Sequence, residues 1–279
     1  MRFFDAHTHV FPAGIAAKAV HFLEEYYHRS WAGDGSADDL LRLMDEAGVE
    51  KALVFASATK PEQVRSVNNF MAQLQTESKG RFYAFGTLHP DHPENAAELE
   101  RIVELGLHGL KVHPDFQHIY IDEPKMMRIY EAVGDRMPIV FHMGDRRTDF
   151  SSPWRLAKVL DDLPHLRVIA AHFGGYSEWD EVKRHLLGRD LWMDTSSTFW
   201  ELPAAEAREL ALSHGIDRIL LGSDYPAVSP AQAIADVRGM GLSDEENEKI
   251  FHLNAEKLFG WDAPAEGSGK RQMGKDKEK

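Results

Sequence analysis

The chain has 279 residues, 43% of them apolar and 28% charged, which allows one large domain or two small ones and a substantial core. Its formal net charge of −13 makes nucleic acid and anionic membrane surfaces poor partners, and the absence of cysteine removes disulfides, thiolate nucleophiles and thiolate metal sites together. No run approaches the roughly 20 apolar residues of a membrane span, and the first residues lack a charged segment followed by a long apolar one; a cytoplasmic protein acting on a small molecule is expected.

The first apolar run, Arg2–His9, carries His7 and His9 one residue apart. Residues i and i+2 of a strand share a face, so both imidazoles aim at one point, and neutral imidazole is the commonest protein ligand for metals. Among 15 histidines such a pair means little alone. A segment from Val10 to Glu50 follows, with Phe22, Tyr26, Tyr27 and Trp31; it either covers the mouth of the fold or packs as an ordinary helix pair. Within it Ser36-Ala37-Asp38-Asp39 reads as a capping box, opening a helix with Leu40, Leu43, Met44 and Ala47 on one face and Gly48 at its end. Further strand-like runs are Lys51–Ala56, Phe82–Leu88, Gly109–Val112, Pro138–His142, Arg167–His172, Leu191–Ser196 and Arg218–Asp224. A second box at Ser243-Asp244-Glu245-Glu246 opens a C-terminal helix carrying Ile250 and Phe251. Residues 263–279 are rich in Gly, Lys, Glu and Asp and are expected to be a disordered polar tail behind a single barrel domain over 1–262.

Eight strands alternating with helices predict an α/β chain folded as a (β/α)₈ TIM barrel. The rival, a doubly wound open sheet, would place a glycine-rich turn after strand one, where this chain has His-Thr-His-Val-Phe-Pro. Barrel enzymes carry their chemistry at the C-terminal strand ends. There strand five ends in His142, strand six in His172 and strand eight in Asp224. Together with His7 and His9 these residues make a candidate metal site. Three imidazoles and a carboxylate satisfy a divalent ion while leaving room for water, and Asp224 is placed to take and return a proton. On strand four Lys111 and His113 share one face; Lys111 contacts an anionic substrate, bridges two metals if carbamylated, or forms a buried ion pair. Arg146 and Arg147, after strand five, grip a substrate carboxylate or pair with surface acids. The other histidines, His118 among them, fall within or beside helical patterns and receive no role.

The blocks Asp5-Ala6-His7-Thr8-His9, Gly109-Leu110-Lys111-Val112-His113-Pro114, Phe141-His142-Met143-Gly144, Ala171-His172-Phe173-Gly174-Gly175, Leu221-Gly222-Ser223-Asp224-Tyr225-Pro226 and Asn254-Ala255-Glu256-Lys257-Leu258-Phe259 resemble the signatures of the amidohydrolase superfamily. The similar branch is the amidohydrolase-related one that also contains aminocarboxymuconate-semialdehyde decarboxylase. The resemblance implies a distorted barrel with one or two divalent ions, commonly zinc, held in the one-metal form by His7, His9, His142 and Asp224. It also implies that His172 binds a second metal or polarises water or substrate, and it places Lys111 on the strand where some members carry a carbamylated lysine. The His113-Pro114 continuation is typical of the amidohydrolase-related branch. The expected function is metal-dependent hydrolysis of a C–N or C–O bond in an amide, lactam, lactone or ester. The alternative is non-oxidative decarboxylation of a small aromatic or unsaturated acid on the same ligands, and the rival from another class is a structural, inactive metal-binding barrel. Barrels with exposed helices often dimerise, so a homo-oligomer is compatible with the sequence.

Overall fold

Each of the eight apolar runs forms a strand in the computed structural model, which describes residues 1–260. The polar tail expected from 263 lies outside the described residues. β1 (Phe4–His9) leads to α1 (Ala16–Tyr27) and α2 (Ala37–Ala47), β2 (Lys51–Phe55) to α3 (Val64–Glu77), and β3 (Phe82–Ala84) to α4 (Asn95–Glu104). β4 (Leu110–Val112) runs into the short α5 (Pro114–Gln117) and then α6 (Pro124–Val133); β5 (Ile139–Phe141) precedes α7 (Pro153–Asp162), and β6 (Val168–Ala170) precedes α8 (Trp179–His185). β7 (Trp192–Asp194) is followed by α9 (Ala204–His214) and β8 (Ile219–Leu220) by α10 (Pro230–Gly239). The described chain ends with α11 (Asp244–Glu248), a π-helical turn (Lys249–Leu253) that buries Ile250 and Phe251, and α12 (Asn254–Phe259).

All strand pairs are parallel and follow sequence order, β1 to β3 in one sheet and β4 to β8 in another. Single bridges from Gly86 to Leu110 and from Thr8 to Tyr225 join the two sheets at both edges, so the ring closes as a (β/α)₈ barrel. Phe4, Leu53, Phe55, Phe85, Val140, Ile169 and Leu220 fill its interior, and Ala255 and Leu258 of α12 close the bottom. A second, larger apolar cluster packs the helices against the outside. Close approach inside the ring explains Gly109, where a Cβ would lie 2.4 Å from the Phe85 ring and 2.5 Å from the Pro138 carbonyl.

The two capping motifs differ. Ser243 and Glu246 form a reciprocal box. Ser36 accepts from the Asp39 amide, but the Asp39 carboxylate does not return to Ser36; it takes the Asp34 amide and the Tyr225 hydroxyl. Only half of the expected box therefore forms, because Asp39 is used to tie the loop after β8 to α2.

A buried network holds α3 and α4 to the barrel. Asn68 donates to Glu98 (2.7 Å) and to the Thr87 carbonyl, Thr87 returns a bond from its amide, and its hydroxyl reaches the Lys111 carbonyl on β4. Burial pushes the Glu98 carboxyl up, but the Arg101 and Asn68 hydrogen bonds outweigh it and hold it below its ordinary value. A depressed folded value stabilises the fold above the unfolded pKa of about 4.3 and loses that contribution as pH falls through the folded one. Glu98→Gln should therefore lower urea-unfolding stability at pH 7 by about 1–2 kcal/mol, with the deficit shrinking below about pH 4. A deficit that does not change with pH contradicts the charge-based account.

Candidate metal centre and cavity

The site begins with an irregularity in β1. Asp5 pairs with Ala52 and Thr8 with Val54, so three steps on β1 match two on β2. One extra residue reverses the side-chain parity, which lets Phe4 face the interior below the bulge while His7 and His9 face it above. The Asp5 carboxylate accepts from the His7 amide (3.2 Å) and the Ser223 amide (2.9 Å), pinning the bulge to the end of β8. Burial pushes this carboxyl up to about 6, against those hydrogen bonds.

His7 Nε2, His9 Nε2 and Asp224 Oδ1 form a triangle whose three edges are each 3.3 Å. A tetrahedral ion with bonds of about 2.0–2.1 Å separates its donors by roughly 3.3–3.4 Å, so the triangle has the dimensions of one face of such a coordination shell. The tautomers agree. His7 Nδ1 lies 2.8 Å from the Asp194 carboxylate, which can only accept, so that nitrogen carries the proton and Nε2 presents a lone pair. Burial drives His9 and His172 down to about 4 and His113 and His142 well below their ordinary value, keeping these imidazoles neutral. For Asp224, burial raises the carboxyl, but His7 and His9 overrule it and hold it well below the usual carboxylate range.

His142 and His172 stand beside this triangle. His172 Nδ1 is 2.9 Å from the Ser196 carbonyl, and its Nε2 is 3.0 Å from His142 Nδ1. His142 is not within ligand reach of the triangle: its ring is stacked on His113 at 3.9 Å with an 11° interplanar angle, and its Nε2 is buried without a hydrogen-bond partner. His113, Asp115 and His142 form a second convergent group among the described residues. Parallel stacking directs the two imidazole lone pairs side by side, a poor arrangement for one shared ion. The backbone at these strand ends is unusual: His172, Ser197 and Asp224 have φ of 61°, 46° and 67°, a left-handed conformation costing about 1–3 kcal/mol each for residues with a Cβ.

Of the four residues considered for a grip on substrate, the two arginines take the surface-acid alternative and Lys111 lies below the cavity. Arg146 is 61% exposed in its side chain and pairs with Glu201; Arg147 is held by Asp145 and stacks on Tyr26 and Tyr27. Both find acids outside the cavity. Lys111 is sealed beneath it, with Nζ 3.5 Å from His7 Nε2 and 4.4 Å from the Phe55 ring centre, and burial lowers it to about 8. His113 does line the cavity. Residues missed in the sequence are Asp194, which fixes His7 and also receives the His172 amide; Ser197, which donates to Asp224 at 2.5 Å; and His118, on the cavity wall. An aspartate closing the run Trp192-Met193-Asp194 was the available signal for the first.

A cavity of about 570 Å³ opens onto His9, His142 and Asp224. Its far wall comes from α1 and α3, including Phe22, Leu23, Tyr27 and Phe70, so the segment after β1 covers the barrel mouth. Among the described residues no helix is long and apolar enough to cross a membrane.

A closed parallel barrel with imidazoles and one carboxylate gathered at its C-terminal strand ends defines a TIM-barrel enzyme. The chain belongs to the Amidohydrolase family, whose profile matches residues 4–261. It is 26% identical to the gamma-resorcylate decarboxylase of Polaromonas sp. JS666, covering 80% of this chain and 86% of that one. It is 23% identical to the 2-amino-3-carboxymuconate-6-semialdehyde decarboxylase of Dictyostelium discoideum, covering 86% and 80%. The crystal structure of a Polaromonas sp. JS666 dihydroxybenzoic acid decarboxylase, with bound manganese and 2-nitroresorcinol, superposes with a TM-score of 0.71 at 21% identity, covering 92% of this chain and 96% of that one. These relatives are decarboxylases, which overturns the expectation of C–N or C–O bond hydrolysis.

Proposed function

We propose that the protein is a metal-dependent, non-oxidative decarboxylase of an aromatic or unsaturated carboxylic acid. The observation that carries this reading is the position of Asp224: among the described residues it is the one carboxylate on the wall of an aromatic-lined cavity, and it lies 3.3 Å from the Nε2 atoms of His7 and His9. The named relatives support the same chemistry.

His7, His9 and Asp224 would hold a divalent cation. Nitrogen and oxygen donors of this kind suit zinc and manganese alike. When bound, the cation supplies Lewis-acid stabilisation of negative charge on the substrate oxygens. The protein's own groups do the rest. Asp224 relays a proton taken from solvent to the substrate carbon that bears the carboxylate; a C–H bond forms there, the C–C bond breaks, its electron pair returns to the π system, carbon dioxide leaves, and Asp224 is again a carboxylate. Ser197 holds Oδ2 of Asp224, and Asp194 fixes His7 in the Nδ1–H tautomer. The walls of Tyr27, Phe116, Tyr176 and Trp200 flank a planar acid and exclude water.

The test uses enzyme stripped with a chelator, reloaded with manganese or zinc, and offered hydroxybenzoates in D₂O. Metal-dependent carbon dioxide release with one deuterium at the vacated carbon is expected. A product carrying solvent oxygen, with no carbon dioxide, contradicts the proposal.

A further inference from the structure

The cavity is far larger than a single carboxylated ring requires. A cavity of about 150 Å³ already accepts benzene, whereas this one measures about 570 Å³. Its titratable groups are supplied by strand ends, adjoining loops and the last turn of α1: His9, His113, His118, His142, Tyr176 and Asp224, with Tyr27 beside them. The remaining wall, from the start of α1 and from α3, is apolar or neutral: Ala19, Phe22, Leu23, Val67 and Phe70 with Gln63 at the edge. No lysine, arginine or glutamate lines the cavity among the described residues, so a second anionic group would lie there without a counter-charge, at the cost of desolvation. Two wall residues, Ile15 and Phe22, are 52% and 56% exposed and leave apolar surface open to water at the rim.

Resting on the decarboxylase reading, we infer that the substrate is an acid with an apolar extension: a carboxylated ring at the strand ends, joined to an alkyl chain or second ring that fills the space between α1 and α3, with no charge on the extension. Each methylene moved from water into such a wall strengthens binding roughly fourfold. A five-carbon chain that buries only part of its length gains tenfold or more.

The experiment is isothermal titration of the manganese-loaded full chain with three product-like probes: resorcinol, 5-pentylresorcinol, and resorcinol carrying a chain of equal length that ends in a carboxylate. The pentyl compound should bind at least tenfold tighter than resorcinol, and the carboxylate-tipped one no tighter than resorcinol. Ala19→Trp, and independently Val67→Phe, should cut the pentyl-to-resorcinol ratio at least threefold by filling the space. A pentyl advantage below tenfold, or a charged chain that binds as tightly as the pentyl one, overturns the inference. Carbon dioxide release from 2,6-dihydroxybenzoate and its para-pentyl derivative, measured alongside, separates the two claims. Release from both acids at equal kcat/KM, with equal affinities, removes the extension and leaves the decarboxylase; the tenfold affinity ratio with no release from either acid removes the decarboxylase and leaves the apolar site.

Discussion

Asp224→Asn should reduce carbon dioxide release by about 10²–10⁴-fold while the protein remains folded. The amide matches the carboxyl in size and still offers an oxygen to the Ser197 hydroxyl, which sits 2.5 Å away in the native protein. It cannot carry the proton that the substrate carbon needs. The fall should appear in kcat, with manganese content reduced far less than activity. Near-native turnover in a folded, metal-replete variant would remove Asp224 from the proton transfer.

Asp194→Asn should weaken metal binding about 10–100-fold, as measured by competition with a chromogenic chelator. Asp194 is fully buried and touches no cavity surface, yet it accepts from His7 Nδ1 at 2.8 Å, from the His172 and Ser196 amides at 3.1 Å each, and from the Ser196 hydroxyl. An amide can satisfy only part of that set. If its NH₂ faces His7, the imidazole must move its proton to Nε2, and the lone pair aimed at the triangle is lost. If its oxygen faces His7, the NH₂ meets two backbone donors. Unaltered affinity would show that the His7 tautomer is set by something else.

The barrel was legible because each apolar run ends in a polar or glycine-marked turn, and the i, i+2 rule placed His7 and His9 on one face. The bulge between Asp5 and Thr8 was not, since simple alternation cannot put Phe4 and His7 on the same side. The strands are shorter than their runs; at β6 and β8 the chain turns out of the ladder through His172 and Asp224 in left-handed conformations that no local pattern announces. Arg146 and Arg147 look like a carboxylate clamp in isolation. Asp145 lies next to them in sequence, but Glu201 is 55 positions from Arg146, and only the fold brings that acid to it. The role of Asp194 is hidden for the same reason: its partner His7 is 187 residues away. The ligand set serves decarboxylation and hydrolysis alike, and the named relatives favour the first.

The most direct test of the account is anomalous diffraction at the manganese edge from crystals of the loaded enzyme. One strong peak in contact with His7 Nε2, His9 Nε2 and Asp224 is the predicted result. A peak confined to His113, Asp115 and His142, or an active enzyme with no anomalous peak at the His7–His9–Asp224 triangle, would contradict it.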